Sequence, residues 1–260
     1  MMLETPAETT AESYVRYQQS LASRLRYEQA QHNLQKLHDL RRPLRVLDAA
    51  GGNGLNTSFL LGKGHTVTLF DSDPEMLEQA NQLLAEAINV RRCKLVLGRI
   101  ETIAEQLAGE QFDLILCHHI VEYLEDCAAT LKALRGLTAP HGELSLISLN
   151  PVSEVMRAVI FKKDPAHARF KLRDRSYDAR WFGQAHLYTL EQITSVAEKA
   201  GWCLENFVAI RVLADYLPEA EATGPREREL FALEKELAVE EPYRRFGRYV
   251  QFCFKTERAE

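Results

Sequence analysis

None of the five cysteines in this 260-residue chain stands at C-x-x-C spacing: Cys93, Cys117, Cys127, Cys203 and Cys253 are scattered. That excludes a zinc site or a disulfide framework written into the sequence, and it predicts buried, inert thiols and no metal. Long apolar runs are missing too. None approaches the roughly 20 residues that cross a bilayer, and Met1 to Thr10 is acidic and polar, without the basic and apolar blocks of an export signal. The expectation is a cytoplasmic protein with no membrane partner. Positive charge is not in excess: 32 Lys and Arg stand against 37 Asp and Glu, a net charge of -5, which argues against indiscriminate nucleic-acid binding. There is no G-x-x-x-x-G-K-[ST] phosphate loop. The dinucleotide fingerprint G-x-G-x-x-G is also incomplete, because Thr57 stands where its third glycine would fall after Gly52 and Gly54.

With 46% hydrophobic and 27% charged residues, the chain has the composition and length for one large α/β domain. A helix is expected over Tyr14–Leu40, stopped by Pro43. Strands and helices then alternate: strand Arg45–Asp48, a helix from Asn56, strand Val67–Asp71, helix Pro74 to Ile88, strand Cys93–Leu97, helix Glu101–Leu107, strand Phe112–Cys117, helix Cys127–Leu137 and strand Glu143–Leu149. Such alternation means βαβ units and a parallel sheet, and apolar runs such as "FDLILC" and "ELSLISL" fit strands covered on both faces. From Pro151 to Gln184 a basic and aromatic segment reads as an insertion, with eight basic residues against three acidic between Arg157 and Arg180. Helix Leu190–Ala200, strand Trp202–Leu213, the link "LPEAEATGP", helix Arg226–Ala238 and strand Phe246–Lys255 follow. Two late strands able to pair antiparallel make a sheet of seven. The organisation expected is a single domain over 1–260: a helical cap (1–43), a ligand-binding core (44–150) and a substrate-side segment (151–260) with insertions after the fifth and sixth strands.

The stretch "LRVLDAAGGNGLNTSFL" carries the chemistry. A strand ending in Asp48 runs into Ala50-Gly51-Gly52-Asn53-Gly54, at the carboxyl edge of the sheet, where a ligand can touch bare backbone. A carboxylate just before the loop suits a ligand bearing an amino group and no phosphate, since pyrophosphate would be repelled. Asp71, ending the second strand, is placed to accept from two ribose hydroxyls.

Together these residues resemble the class I S-adenosylmethionine-dependent methyltransferases, whose first motif is roughly [DE]-x-G-x-G-x-G; Asp48, Gly52 and Gly54 match it. Ala50 replaces the first glycine, which keeps the turn if its φ is negative. The resemblance implies a Rossmann-like fold, S-adenosylmethionine as cofactor, Asp71 on the ribose, Arg99, Ile100 and Glu101 around the adenine, and His118 beside the methionine half, with His119 left to solvent or core. More specific pieces, "LR" at Leu25-Arg26, "LRVLDAAGG", "AGW" at Ala200, "IRVLADYL" at Ile210 and "EPYRRFGRY" at Glu241, resemble the bacterial methyltransferases that esterify 5-carboxymethoxyuridine at the tRNA wobble position. That resemblance implies tRNA as partner and Arg26 as a cofactor contact, a guanidinium being a good bidentate partner for the methionine carboxylate. The dense lysine run of those enzymes is diluted here to "FKKDPAHARFKLRDR", which implies fewer phosphate contacts.

Transfer to an ionised carboxylate needs alignment and no proton removal. Arg211, Tyr216 and Arg248 are therefore the candidates for seating the acceptor, with Asp215 as an arginine partner. A phenol or alcohol acceptor would need a base, for which His118, His119 and Glu122 are candidates. Tyr177, Trp181, Phe182 and Tyr188 are placed to stack on exposed bases or to cover a small-molecule pocket. The competing expectations are a methyltransferase of a small acidic or phenolic metabolite and a non-catalytic cofactor-binding module.

Overall fold

A computed structural model describes Ser13 and residues 16–179, 183–217 and 224–256. Tyr14, Arg180, Trp181, Phe182 and most of the "LPEAEATGP" link lie outside the described residues. Helix α1 (Leu21–Leu37) starts at Ser20, whose side chain accepts from Ser23 N–H, and it buries Leu25 and Leu34 completely. Then come β1 (Arg45–Ala49), α2 (Leu55–Gly62), β2 (Thr66–Asp71), α3 (Pro74–Leu83), α4 (Ala85–Asn89), β3 (Cys93–Leu97), α5 (Ile103–Gln106), β4 (Phe112–His118), α6 (Cys127–Gly136) and β5 (Thr138–Leu149). Helix α3 opens with Asp73 capping two N–H groups and Pro74 in its first turn, the residue types that favour a helix start.

The insertion folds as two short helices, α7 (Pro151–Ile160) and α8 (Pro165–Lys171), and a hairpin of β6 (Ser176–Ala179) and β7 (Gly183–His186). Helix α9 (Leu190–Lys199) has a complete capping box between Thr189 and Gln192. Strand β8 (Trp202–Ile210), α10 (Pro225–Leu237) and β9 (Tyr249–Thr256) complete the chain.

The seven-stranded sheet has the order β3-β2-β1-β4-β5-β9-β8. Its first five strands pair in parallel, and β9 runs antiparallel between β5 and β8. Strand order reverses between β1 and β4, so the loops leaving their carboxyl ends flank a crevice, the expected ligand position in such sheets. One core cluster gathers Leu47, Phe70, Ile115, Leu146, Trp202 and Phe252; Trp202 is fully buried and its Nε1 donates to Leu131 O at 3.0 Å. A second joins α1 to the other side of the sheet through Leu34, Val46, Leu60, Leu69 and Leu116.

Element types follow the sequence reading, and several boundaries move. The single helix expected to Ile88 breaks at Leu84 into α3 and α4. Strand β5 begins five residues early, with a register irregularity near its start. Strand β8 stops at Ile210. Cys203 is exposed, contrary to the expectation of five buried thiols. No helix among the described residues is long and apolar enough to cross a membrane.

Replacing Leu34 by Ala should cost about 2–5 kcal/mol of stability, because the side chain is fully buried where α1 meets the sheet. Urea denaturation measures it, and a loss under 1 kcal/mol would show that α1 does not pack as described.

Candidate functional site

The chain leaving β1 turns sharply, with Ala50 N–H and Gly51 N–H both donating to Phe70 O, at 2.8 and 3.2 Å. Gly51 lies so close to β2 that a Cβ would sit 2.8 Å from Leu69 Cγ and 2.9 Å from Asp48 Cγ. Gly54, at φ +83°, starts α2 and needs the left-handed freedom of glycine. Ala50 corrects the sequence reading: its φ is +65°, not negative, so an alanine is held in the left-handed region at a cost of about 1–2 kcal/mol. Its N–H and that of Gly51, bonded to one carbonyl, hold it there.

Asp48 is 2% exposed and turned under this loop, its Oδ2 accepting from Thr57 Oγ1 at 2.7 Å. Burial, and the charge of Asp71, push its pKa up to about 6. Asp71 is instead at the crevice: Oδ2 accepts from Gly52 N–H at 2.7 Å and Oδ1 from Asp73 N–H at 2.9 Å. Burial raises its pKa as well. Each oxygen keeps a second lone pair for a ligand hydroxyl.

A first cavity is lined by Ala50, Phe70, Asp71, Ser72, Gly98, Arg99, Ile100, Glu101, Ile120, Tyr123 and Leu124. It brings together the residues expected around a nucleoside: an acid on one wall, apolar Ile100, Ile120 and Leu124, and Arg99 paired with Glu101 at 3.2 Å. Gln18 exchanges two hydrogen bonds with Asn53, at 2.8 and 3.2 Å, and so ties the N-terminal segment across the glycine loop.

A second cavity adjoins the first, Tyr123 lining both. Its wall holds four arginines, Arg26, Arg157, Arg211 and Arg248, with Tyr17, His119, Glu122, Tyr177, Asp215 and Tyr249. Tyr249 sits among three of the guanidiniums: Arg26 at 6.0 Å, Arg211 at 5.8 Å and Arg248 at 5.9 Å from its ring centre. Asp215 binds Arg211, and it binds Arg157 at 2.8 Å. Glu154 binds Arg248, which also donates to Ser153 Oγ at 3.0 Å and to Tyr177 Oη at 3.2 Å. Arg211 is 6% exposed and itself left-handed at φ +60°, and its Nε and Nη1 have no partner among the described residues. Buried donors left so are costly unless a ligand meets them.

The two histidines divide differently from the sequence reading. His118 closes β4 with its ring inside the protein, Nε2 lying 2.9 Å from Ser145 Oγ. His119, at φ +58°, lines the arginine cavity with its ring edge-on to Tyr249 at 4.7 Å. Burial lowers the pKa of His118 to about 3; burial together with Arg26 lowers that of His119 well below the ordinary value. Both rings are neutral at physiological pH. Glu122 is 5% exposed, with Oε1 accepting from Leu149 N–H at 3.3 Å and Oε2 without a partner among the described residues. Burial lifts it to about 7. Tyr216 is stacked on Phe161 at 6.1 Å outside the cavity wall.

Away from this site, His38, Glu143 and Cys253 come together, the His38 ring 2.5 Å from the Glu143 carboxylate. Burial pushes the Cys253 thiol up to about 12.

Residues 40–205 match the family described as "Methyltransferase domain". The chain belongs to that family. This methyltransferase is 30% identical over 209 residues to the tRNA 5-carboxymethoxyuridine methyltransferase of Escherichia coli K12, covering 80% of this chain and 78% of that one. It is 33% identical over 110 residues to the ubiquinone biosynthesis O-methyltransferase of Xanthomonas euvesicatoria, covering 41% and 43%. Among solved structures, a putative S-adenosylmethionine-dependent methyltransferase from Listeria monocytogenes shares its fold with a TM-score of 0.63 and 14% identity, over 90% of this chain and 99% of that one. The protein is thus a class I S-adenosylmethionine-dependent methyltransferase, and the first cavity fits its cofactor: the Ala50 turn, the Asp71 carboxylate and apolar Ile100, Ile120 and Leu124 line it.

Two substitutions test this description. Ala50→Gly should raise stability by up to about 1 kcal/mol by relieving the left-handed alanine; a lower urea midpoint would contradict it. Glu122 ionises near pH 4.5 when unfolded and near about 7 when folded, so its contribution to stability is present below 4.5 and is lost as pH rises to 7. The loss is about 3 kcal/mol. Glu122→Gln should flatten stability between pH 5 and 8, and an unchanged slope would place the carboxyl in contact with solvent.

Proposed function

We propose that the protein moves the methyl group of S-adenosylmethionine to a carboxylate, that of 5-carboxymethoxyuridine at the wobble position of a tRNA. The observation that carries this reading is Arg211, buried beside Arg248 on the cavity that adjoins the nucleoside cavity, with two guanidinium donors unmet. Asp215 and Glu154 are shared among Arg157, Arg211 and Arg248, and Arg211 Nε and Nη1 have no partner among the described residues, a deficit of acceptors. A carboxylate acceptor and the methionine carboxylate answer it. In this reading Asp71 holds the ribose, Arg99, Ile100 and Glu101 flank the adenine, Arg26 holds the methionine carboxylate, and Asp48 and Thr57 shape the loop from beneath.

When bound, the sulfonium supplies an electrophilic methyl carbon. Arg211 and Arg248 would hold the acceptor carboxylate as an anion and present one of its oxygens to receive the methyl group. No proton moves. That agrees with the two histidines, whose affinity for a proton is lowered by burial and, at His119, by Arg26, so that they are poor bases.

The tRNA part of the reading is supported by the named relative and by Lys162, Lys163, Arg169 and Arg173, all exposed on or beside α7 and α8 and able to meet phosphates. Glu122 favours a second reading, since a carboxyl on the cavity wall with a pKa of about 7 is suited to deprotonating a phenol.

Incubation with methyl-labelled cofactor and tRNA bearing unesterified 5-carboxymethoxyuridine separates the two. Label should enter the RNA and be released as methanol by mild alkali, as a methyl ester requires. Label fixed in an alkali-stable ether, or taken up only by a small-molecule fraction, would contradict the carboxylate reading.

A further inference from the structure

The acidic helix α10 has no group on the cavity wall, yet one of its side chains reaches the segment that carries Arg211. Glu234 is fully buried. Its carboxylate accepts three consecutive backbone N–H groups: Val212 at 2.6 Å through Oε2, and Leu213 at 2.8 Å and Ala214 at 2.6 Å through Oε1. Oε2 also accepts from Gln29 Nε2 at 3.5 Å. Gln29, equally buried on α1, accepts with its Oε1 from Arg211 N–H at 2.8 Å. On the other side, Arg211 O accepts from Arg248 N–H at 2.8 Å.

The left-handed backbone of Arg211 is therefore gripped from both sides, and the chain just after it is clamped by a single carboxylate. A non-glycine residue in this conformation persists only where its surroundings over-determine it. A buried carboxylate that gathers three N–H donors supplies that constraint, since charge-assisted bonds are about twice as strong as neutral ones. A glutamine at 234 would offer one oxygen and turn an NH2 group toward an N–H. Gln29 lies one turn from Arg26 on α1, so the same bond joins the helix bearing the methionine-side arginine to the acceptor-side arginine.

We propose that Glu234, acting with Gln29, is the positioning residue for Arg211, setting the guanidinium that seats the acceptor carboxylate. This rests on the reading of Arg211 given above. Neither residue touches acceptor or cofactor; their effect passes through the backbone at 211–214.

The test is a double-mutant cycle on acceptor KM, with tRNA bearing unesterified 5-carboxymethoxyuridine, alongside calorimetric Kd for S-adenosylhomocysteine. Arg211→Ala should raise the acceptor KM by ten-fold or more. Glu234→Gln should raise it by about ten-fold with cofactor Kd changed by less than two-fold. The double variant should be no worse than Arg211→Ala alone, because Glu234 then has nothing left to position. If Arg211→Ala leaves KM unchanged, the carboxylate-seating reading falls, and this inference with it. If Arg211→Ala raises KM while Glu234→Gln does not, or if the two effects multiply, the inference alone is overturned. Should Glu234→Gln fail to bind S-adenosylhomocysteine, Gln29→Leu decides, because it frees Arg211 N–H while leaving the clamp in place. A raised acceptor KM supports the proposal and an unchanged one overturns it.

Discussion

The bond from Gly52 N–H to Asp71, 2.7 Å long, fixes the end of β2 against the turn leaving β1, and the nucleoside cavity exists because of it. The turn needs an anchor, since Ala50, Gly52 and Gly54 all have positive φ and nothing in their own side chains holds them there. Phe70 O restrains the start of the turn and Asp71 its middle. Asp48 supports it from beneath through Thr57, which explains why an acid expected to face the ligand is found buried. One carboxylate builds the loop from inside, and the other holds it while presenting lone pairs to the crevice.

The arginine cavity follows a different economy. Arg26, Arg211 and Arg248 lie against the Tyr249 ring, and Arg157, Arg211 and Arg248 share the carboxylates of Asp215 and Glu154. Burying guanidinium donors without partners, as at Arg211 Nε and Nη1, is unfavourable unless an acceptor arrives, which suits the site to an anionic ligand. Burial, with Arg26 beside it, keeps His119 neutral, and burial outweighs the opposing pull of Arg248 to let Glu122 titrate near neutrality. Tyr249, at the start of β9, stands where Arg26 from α1, Arg211 from the end of β8 and Arg248 beside it converge, so the antiparallel pair β8–β9 is what brings these arginines together.

Much of this was legible in the sequence because βαβ rhythm and glycine spacing are local signals. Asp71, Arg99, Ile100 and Glu101 line one cavity, and Arg211 and Arg248 line another together with Arg26, while Tyr216, grouped with those two arginines in the sequence, lies off that wall. What was not legible depends on dihedral angles and on contacts between distant residues. The motif gives residue types and not φ, so the left-handed Ala50 was missed. The positions of His118 and His119 turn on β4 running one residue further than read, which puts the His118 ring inside and His119 on the cavity wall. Arg157 and Tyr249 stood within the basic segment and the "EPYRRFGRY" stretch without being singled out. Nothing local could link Glu234 to Val212, Leu213 and Ala214, because the pairing exists only after α10 packs beside α1.

The most direct test of the account is a crystal structure of the protein with S-adenosylhomocysteine. The account predicts both ribose hydroxyls within hydrogen-bond distance of the Asp71 carboxylate, adenine against Ile100, and the amino-acid end directed past Tyr123 toward Arg26. A nucleoside bound with its ribose away from Asp71, or an amino-acid end pointing out of the arginine cavity, would contradict it.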